Sequence, residues 1–284
     1  EIATKGGLLS VTGANDDGRG FMGSVSDGAG SFVSHSSSSI DTTGASNTAG
    51  GAVTIYANVR DPGSGSTSGN ITIGGDITTS GGTVTSSGAG KAGGNVELRT
   101  YNNGGTISIS TNADITTTGS AANTDGVGGA GGTVTLNTEA TTITLTDTKI
   151  DTSGGAGANG KAAGSGGTIT ISDPLTIATN AVQLTTGSGS GGNISTGTID
   201  GSTSISLTSG SGTITTGILG GGTPLTGLTY TADAVTLSSN ITTAGAFEVT
   251  GAATLGDHIT IDTSGGNGSV TFGSTVDGNK NLTI

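Results

Sequence analysis

A short phrase recurs along the whole chain: Gly or Asn, a β-branched residue, Thr and another aliphatic. It reads Gly51-Ala52-Val53-Thr54-Ile55, Gly69-Asn70-Ile71-Thr72-Ile73 and Gly94-Asn95-Val96-Glu97-Leu98. It returns as Gly105-Thr106-Ile107-Ser108-Ile109, Gly132-Thr133-Val134-Thr135-Leu136 and Gly167-Thr168-Ile169-Thr170-Ile171, and again near Val235, Ile259 and Leu282. Aliphatics two apart put their side chains on one face of an extended strand, and the small residue in front tolerates the corner before it. Most spacings fall between about 18 and 25 residues, the length of one turn of a coil of short strands. No segment has helical periodicity. The expectation is an all-β chain, a parallel β-helix (β-solenoid) of roughly a dozen coils with Gly-rich lateral loops, giving a rod on the order of 50–60 Å long.

Composition narrows the alternatives. Gly is 58 of 284 residues, hydrophobic residues are 30% and aromatics 2%. That is poor for a conventional globular core and suggests disorder at first sight. The aliphatics, however, stand in period-2 pairs, and a stack of coils needs only a few inward Val, Ile or Leu per coil. The chain has no Cys, which removes disulfide and thiolate–metal chemistry. A net charge of −12, with eight Lys and Arg, disfavours nucleic acid and anionic membranes as partners. No apolar run reaches membrane-spanning length, and no signal peptide is recognisable. The final phrase, Asn281-Leu282-Thr283-Ile284, suggests a piece of something longer or a unit whose ends stack on neighbours.

Three regions are expected. Residues 1–49 are irregular, with a bulkier cluster at Phe21, Met22, Val25, Phe32 and Val33 suited to capping coils. Residues 50–172 carry long Gly-rich insertions: Asp61 to Gly69, Ser86 to Gly94, Gly119 to Gly132 and Gly154 to Gly167. If these recur at one corner they form a flexible fringe. Here Ile40, Ile77, Ile115 and Ile150 are spaced 37, 38 and 35 apart, so one super-repeat holds a coil plus a long loop, or two shorter coils. Residues 173–284 form tighter coils, with Ile169, Ile194, Ile214, Val235, Ile259 and Leu282 marking the repeat.

Motifs that carry chemistry are weak. Gly155-Ala156-Gly157-Ala158-Asn159-Gly160-Lys161 fits a phosphate loop until Ala162, where Ser or Thr is required, and no helix follows it. Gly126-Val127-Gly128-Gly129-Ala130-Gly131 matches a dinucleotide fingerprint, as chance allows where Gly is this common. Asn123-Thr124-Asp125-Gly126 resembles a polygalacturonase phrase, but the second acidic pair, the Gly-His-Gly and the downstream basic residues are missing. An enzyme is therefore not expected. Asp41, Asp151 and Asp262 recur beside inward Ile residues and are placed to bridge coils through Ca²⁺, while Asp16, Asp17 and Asp61 are the best loop candidates for that ion. Such carboxylates are more often simply solvated. Outward Thr pairs suit an ice-binding face only where they are regular. Thr133/Thr135, Thr168/Thr170 and Thr213/Thr215 fit, and Ala52/Thr54 and Asn95/Glu97 do not. Asn70, Asn95, Asn193 and Asn281 precede inward aliphatics and are expected at left-handed corners. Tyr56, Tyr101 and Tyr230 stand too far apart in sequence for a sugar-stacking platform.

The Gly-Gly-Thr-Ile-Thr-Ile and Ile-Asp-Thr-Ser-Gly-Gly phrases across residues 50–284 resemble those of filamentous-haemagglutinin-like adhesins and related β-strand-repeat bacterial exoproteins. That resemblance implies a right-handed parallel β-helix, secreted and displayed at the cell surface as a long fibre. Together with the absence of catalytic motifs, it gives the expectation of a non-enzymatic shaft segment of an adhesin or surface fibre, with no cofactor other than the Ca²⁺ weighed above. Its partners would be adjoining repeats or other copies of itself, and a host or neighbouring-cell surface. A self-assembling filament subunit stacking head to tail is the alternative, and a cell-wall polysaccharide hydrolase is a distant third.

Overall fold

The computed structural model describes residues 31–57, 69–101, 105–139 and 141–284, together with the backbone of the strands Ile2–Ala3 and Leu9–Thr12. Among the described residues the fold is all-β without helices, and every named strand pairing is parallel. The strands sort into three ladders. The first pairs Ile2, Ile40, Ile77, Ile115, Ile150, Leu184, Leu207, Tyr230, Val249 and Phe272 in succession. The second pairs Leu9, Val53, Val96, Val134, Ile169, Ile194, Ile214, Val235, Ala253 and Val276. The third runs Phe32, Ile71, Ile107, Ile143, Leu175 and Ile199, passes through the bridges of Leu219 to Ile241, and continues to Ile261. It closes with Ile259 against Leu282. Each pass of the chain lays one strand on each ladder in the order first, second, third. The long strands Ser204–Thr215 and Gly227–Leu237 cross from the first ladder to the second without a break, so these two ladders form a single 18-stranded sheet.

The register explains why such short strands hold. The paired positions are almost all Ile, Val or Leu, and from pass to pass they lie on like residues in one continuous apolar cluster. Ile77, Ile115, Val134, Ile143 and Ile150 are completely buried. Burying each such side chain contributes about 1.5–3 kcal/mol relative to exposure. Their sequence neighbours alternate to half-exposed Thr, Ser or Asp, as a strand with one buried face requires. Where passes shorten, aromatics enter the column: Tyr230, Phe247 and Phe272 meet edge to face with centroids 6.0 and 5.8 Å apart.

Among the described residues ten passes can be followed, where the spacing led to an expectation of roughly a dozen coils. Val53 to Val96 is 43 residues and Val134 to Ile169 is 35, while later steps on the second ladder are 18–25. In the first half, then, the phrases at Val53 and Ile71 are two sides of one pass, not successive turns. The 35–38-residue super-repeat is one pass with a long loop. For the same reason the series ending Val235, Ile259, Leu282 changes ladder. Val235 lies over Ala253, whereas Ile259 belongs to the third ladder.

The long excursions between the first and second ladders recur at one corner, but they are not a loose fringe. Outgoing arms pair with outgoing arms of the next pass, through Gly81 N–H to Thr118 O at 2.9 Å and Gly119 N–H to Ser153 O at 2.9 Å. Returning arms do the same, through Gly93 N–H to Ala130 O and Gly131 N–H to Ser165 O, both 2.9 Å. Cross-bonds such as Gly129 N–H to Ser120 O and Gly155 N–H to Gly129 O join the two sets into a slab. Close approach of backbones is what demands glycine here. A Cβ on Gly128 would lie 1.8 Å from Gly155 O, and one on Gly164 1.9 Å from Gly129 O. Most of the Asp61 to Gly69 excursion lies outside the described residues, as do Phe21, Met22 and Val25.

Candidate functional site

Asp16, Asp17 and Asp61, the Ca²⁺ candidates, lie outside the described residues. The three repeat carboxylates do not line up with one another. Asp41 and Asp151 are on the first ladder, with Thr78 and Thr116 between them, and Asp262 is on the third. Each instead accepts from the backbone two residues on: Asp41 from Thr43, Asp151 from Ser153 and Asp262 from Ser264, at 2.8–3.0 Å. Asp151 also meets Lys149 Nζ at 2.8 Å. Burial pushes its carboxyl up, but the bonds from Lys149 and Ser153 outweigh that and hold it below the usual range. Among the described residues no three His, Cys, Asp or Glu side chains converge as metal ligands. The two nucleotide-like phrases both fall in the slab, where the N–H groups of Gly155 and Gly128 are already donated to Gly129 O and Ala162 O.

Three arrangements emerge that the sequence did not announce. The first is a buried hydroxyl column where each slab excursion leaves and rejoins the ladders. Thr42, Thr79, Thr117 and Thr152 point inward, completely buried, two residues after the paired Ile. Their hydroxyls donate to the carbonyls of Gly51, Gly94, Gly132 and Gly167 at 2.5–2.8 Å. The same glycines return a backbone N–H to the carbonyl of the same threonine, for example Gly167 to Thr152 at 2.8 Å. Each excursion is thus closed at its base by a two-bond clamp. Thr186 and Ser209 repeat the hydroxyl half of it on Gly192 and Gly212, where the excursions have shrunk.

The second concerns the asparagines. None of Asn70, Asn95 or Asn193 has positive φ. Their carboxamide oxygens accept instead from the backbone N–H of the equivalent residue one pass later, Thr106, Thr133 and Thr213, at 2.8–3.0 Å. They tie successive passes together and do not take the left-handed conformation expected of them. Asn240 does the same to Thr260.

The third is a surface cluster on the second ladder. Tyr56 and Arg99 are register partners, so two tyrosines far apart in sequence come together: the Tyr56 and Tyr101 rings sit edge to face at 5.7 Å. Tyr56 Oη donates to Glu97 Oε2 at 2.8 Å, and that bond, with burial and the neighbouring negative charge, raises its phenol above the ordinary value. The Arg99 guanidinium lies 4.5 Å from the Tyr101 ring centroid and donates to Glu139 Oε1 at 2.9 Å. Its Nε is buried with no hydrogen-bond partner among the described residues. The cluster spans three passes. The carboxylates and rings engage one another across these passes, so the cluster works as a tie across the stack. Tyr230 is apart from it, fully buried in the core with its hydroxyl 3.0 Å from Thr216 Oγ1.

Two surface hollows among the described residues are open. One, about 470 Å³, is lined by Gln183, Ser204, Ser206, Thr226 and Thr229 among small and aliphatic residues, with no charged or aromatic group. A second, about 400 Å³, lies over Gly210, Thr231 and Asp233. No family model matches the chain, and neither a curated protein nor a solved structure matches it.

Proposed function

We propose that the chain winds as a right-handed parallel β-helix and serves as a structural, non-enzymatic shaft segment of a secreted bacterial adhesin or surface fibre. The observation that carries this reading is the set of three ladders running in register through ten passes, with aliphatic laid on aliphatic. Parallel crossovers are right-handed in about 98% of cases, which gives the hand of the winding. The asparagine bridges and the Tyr56–Arg99–Glu139 tie bond neighbouring passes along the stack, and the threonine clamps close each pass on itself at the base of its excursion. A device of this kind transmits length and stiffness, which is what a shaft needs to hold a remote binding tip away from a cell. The resemblance of the repeats to filamentous-haemagglutinin-like exoproteins supports an extracellular, cell-surface setting.

The apolar edge of the last described pass bears equally on a second reading, a self-assembling filament subunit stacking head to tail. Phe272, Val270 and Leu282 occupy core columns but are only half-buried, and Val276 is exposed. Further repeats would cover this edge in a shaft, and another copy would cover it in a head-to-tail filament. Electron microscopy of the purified chain at two concentrations, with and without chelator, separates the readings. Discrete short rods at both concentrations support the shaft and exclude the filament. Concentration-dependent fibres replace the shaft by the filament, and fibres that dissolve on chelation would assign them a Ca²⁺ requirement. Compact particles without a long axis would defeat both.

A further inference from the structure

We propose that Asn159 is a site of spontaneous deamidation, a slow covalent change that adds charge to the tip of the Gly-rich slab and loosens it. Residues 158–161 form a tight turn closed by Lys161 N–H donating to Ala158 O at 3.0 Å. The two central residues, Asn159 with φ 49° and Gly160 with φ 76°, are both left-handed, the geometry of an Asn-Gly hairpin turn. Both are exposed, so water and base reach them. A Cβ on Gly160 would find no atom within 4 Å, and its N–H donates to no acceptor among the described residues. Its nitrogen is therefore unshielded and uncommitted, beside a lysine whose positive charge favours loss of the amide proton.

The chemistry needs only base and water. The deprotonated Gly160 nitrogen attacks Asn159 Cγ, forming an N–Cγ bond while the Cγ–Nδ2 bond breaks. The side-chain nitrogen takes up a proton and leaves as ammonia, and a five-membered succinimide remains. Water then opens the ring at either carbonyl. Opening at Cγ gives an aspartate, and opening at the backbone carbonyl gives an isoaspartyl linkage. No electrons are transferred.

A structural consequence follows from what Asn159 holds. Its Nδ2 donates to Thr124 O, in the slab arm one pass earlier. Next to it, Ala158 N–H donates to Gly126 O at 2.9 Å, and Lys161 Nζ lies 3.9 Å from Asp125 Oδ1. After deamidation a carboxylate replaces the donor and faces that carbonyl beside Asp125. The bond between the two arms is lost and like charges meet. The other described Asn-Gly pair, Asn267-Gly268, is shielded. There Gly268 N–H is directed at Thr263 O at 3.4 Å, and a Cβ on Gly268 would lie 1.9 Å from Gly245 O.

The test stores the folded protein at mildly alkaline pH in ¹⁸O-water, then unfolds it and digests it with trypsin in ordinary water. Storage-derived products carry the heavy isotope and digestion artefacts do not. Cleavage after Lys149 and Lys161 releases peptide 150–161, in which Asn159 is the sole asparagine. The expected result is labelled aspartyl and isoaspartyl forms of this peptide, accumulating several-fold faster than modification at Asn267. Asn159→Gln should suppress them, because the longer side chain closes a six-membered ring far more slowly. Retention of the amide in the folded protein, while the unfolded chain loses it under the same conditions, overturns the proposal. Amide hydrogen exchange at Ala158 should rise several-fold in Asn159→Asp, and an unchanged rate overturns the loosening of the slab.

Discussion

Replacing Thr152 by Val removes one hydroxyl from the base of a slab excursion and changes little else. Both side chains are β-branched and similar in size, so the buried column keeps its packing. What is lost is the 2.7 Å bond to Gly167 O, a buried carbonyl for which the structure gives no other donor. A buried acceptor left unsatisfied costs about 1–3 kcal/mol, and burying a methyl in place of the hydroxyl returns up to about 0.8. The net expectation is about 1–2 kcal/mol of destabilisation. In a stack of repeats that loss is felt locally, because each pass contacts only its neighbours. Native-state hydrogen exchange of the Gly167 amide, which donates to Thr152 O, is the appropriate assay. A loss of this size makes exchange roughly 5–30 times faster. Thr170→Val is the control. Thr170 is an outward position between Thr135 and Ser195, and its replacement should stay within about 0.5 kcal/mol. Equal effects of the two substitutions, or no change at Gly167, would refute the claim that the clamp closes the excursion.

Other consequences are as direct. Gly128→Ala places a methyl against Gly155 O and should destabilise by about 1–3 kcal/mol, whereas Gly189→Ala, which meets nothing within 4 Å, should be neutral or stabilising by up to about 1, both read from urea midpoints. Glu97→Gln should lower the Tyr56 titration toward that of free tyrosine, followed by phenolate absorbance. With the folded value raised, the contribution of Tyr56 is complete below its unfolded pKa and lost as pH rises through the folded one. Asp151 has the opposite sign. Its depressed folded pKa gives stability that is present above the unfolded value and lost from about pH 4 downward. Lys149→Met should move that loss to higher pH in an acid unfolding series.

The alternation of Val, Ile and Leu made the strands and their buried face readable from sequence, because a period of two leaves no choice of face. Which strand lies over which was not readable. Spacing alone cannot tell the next side of one pass from the next pass, and so Val53 to Ile71 passed for a full turn. The buried threonines were hidden for a related reason. In Ile77-Thr78-Thr79 the alternation itself sends Thr79 inward, yet a hydroxyl is expected outside unless a buried acceptor awaits it, and that acceptor, Gly94 O, lies 15 residues on. The Tyr56–Tyr101 pair became visible only with the pass length. The outward threonines show the same dependence. Sorted by ladder, Thr135, Thr170, Ser195, Thr215, Thr236 and Thr254 follow one another, although the neighbouring column is interrupted at Asn193, Ala234 and Ala252.

The central claim is the register between passes, and a chain without cysteine lets it be tested by placing two. Thr135 and Thr170 face outward as direct partners on consecutive passes of the second ladder. Adjacent strands lie about 4.8 Å apart, within the Cα separation that a disulfide spans, while two passes are separated by about twice that. Mild oxidation of the Thr135→Cys/Thr170→Cys variant should give an intramolecular disulfide in good yield, and Thr135→Cys/Ser195→Cys, two passes apart, should resist. Similar yields for both pairs, or preferential closure of the second, would contradict the winding on which every other inference depends.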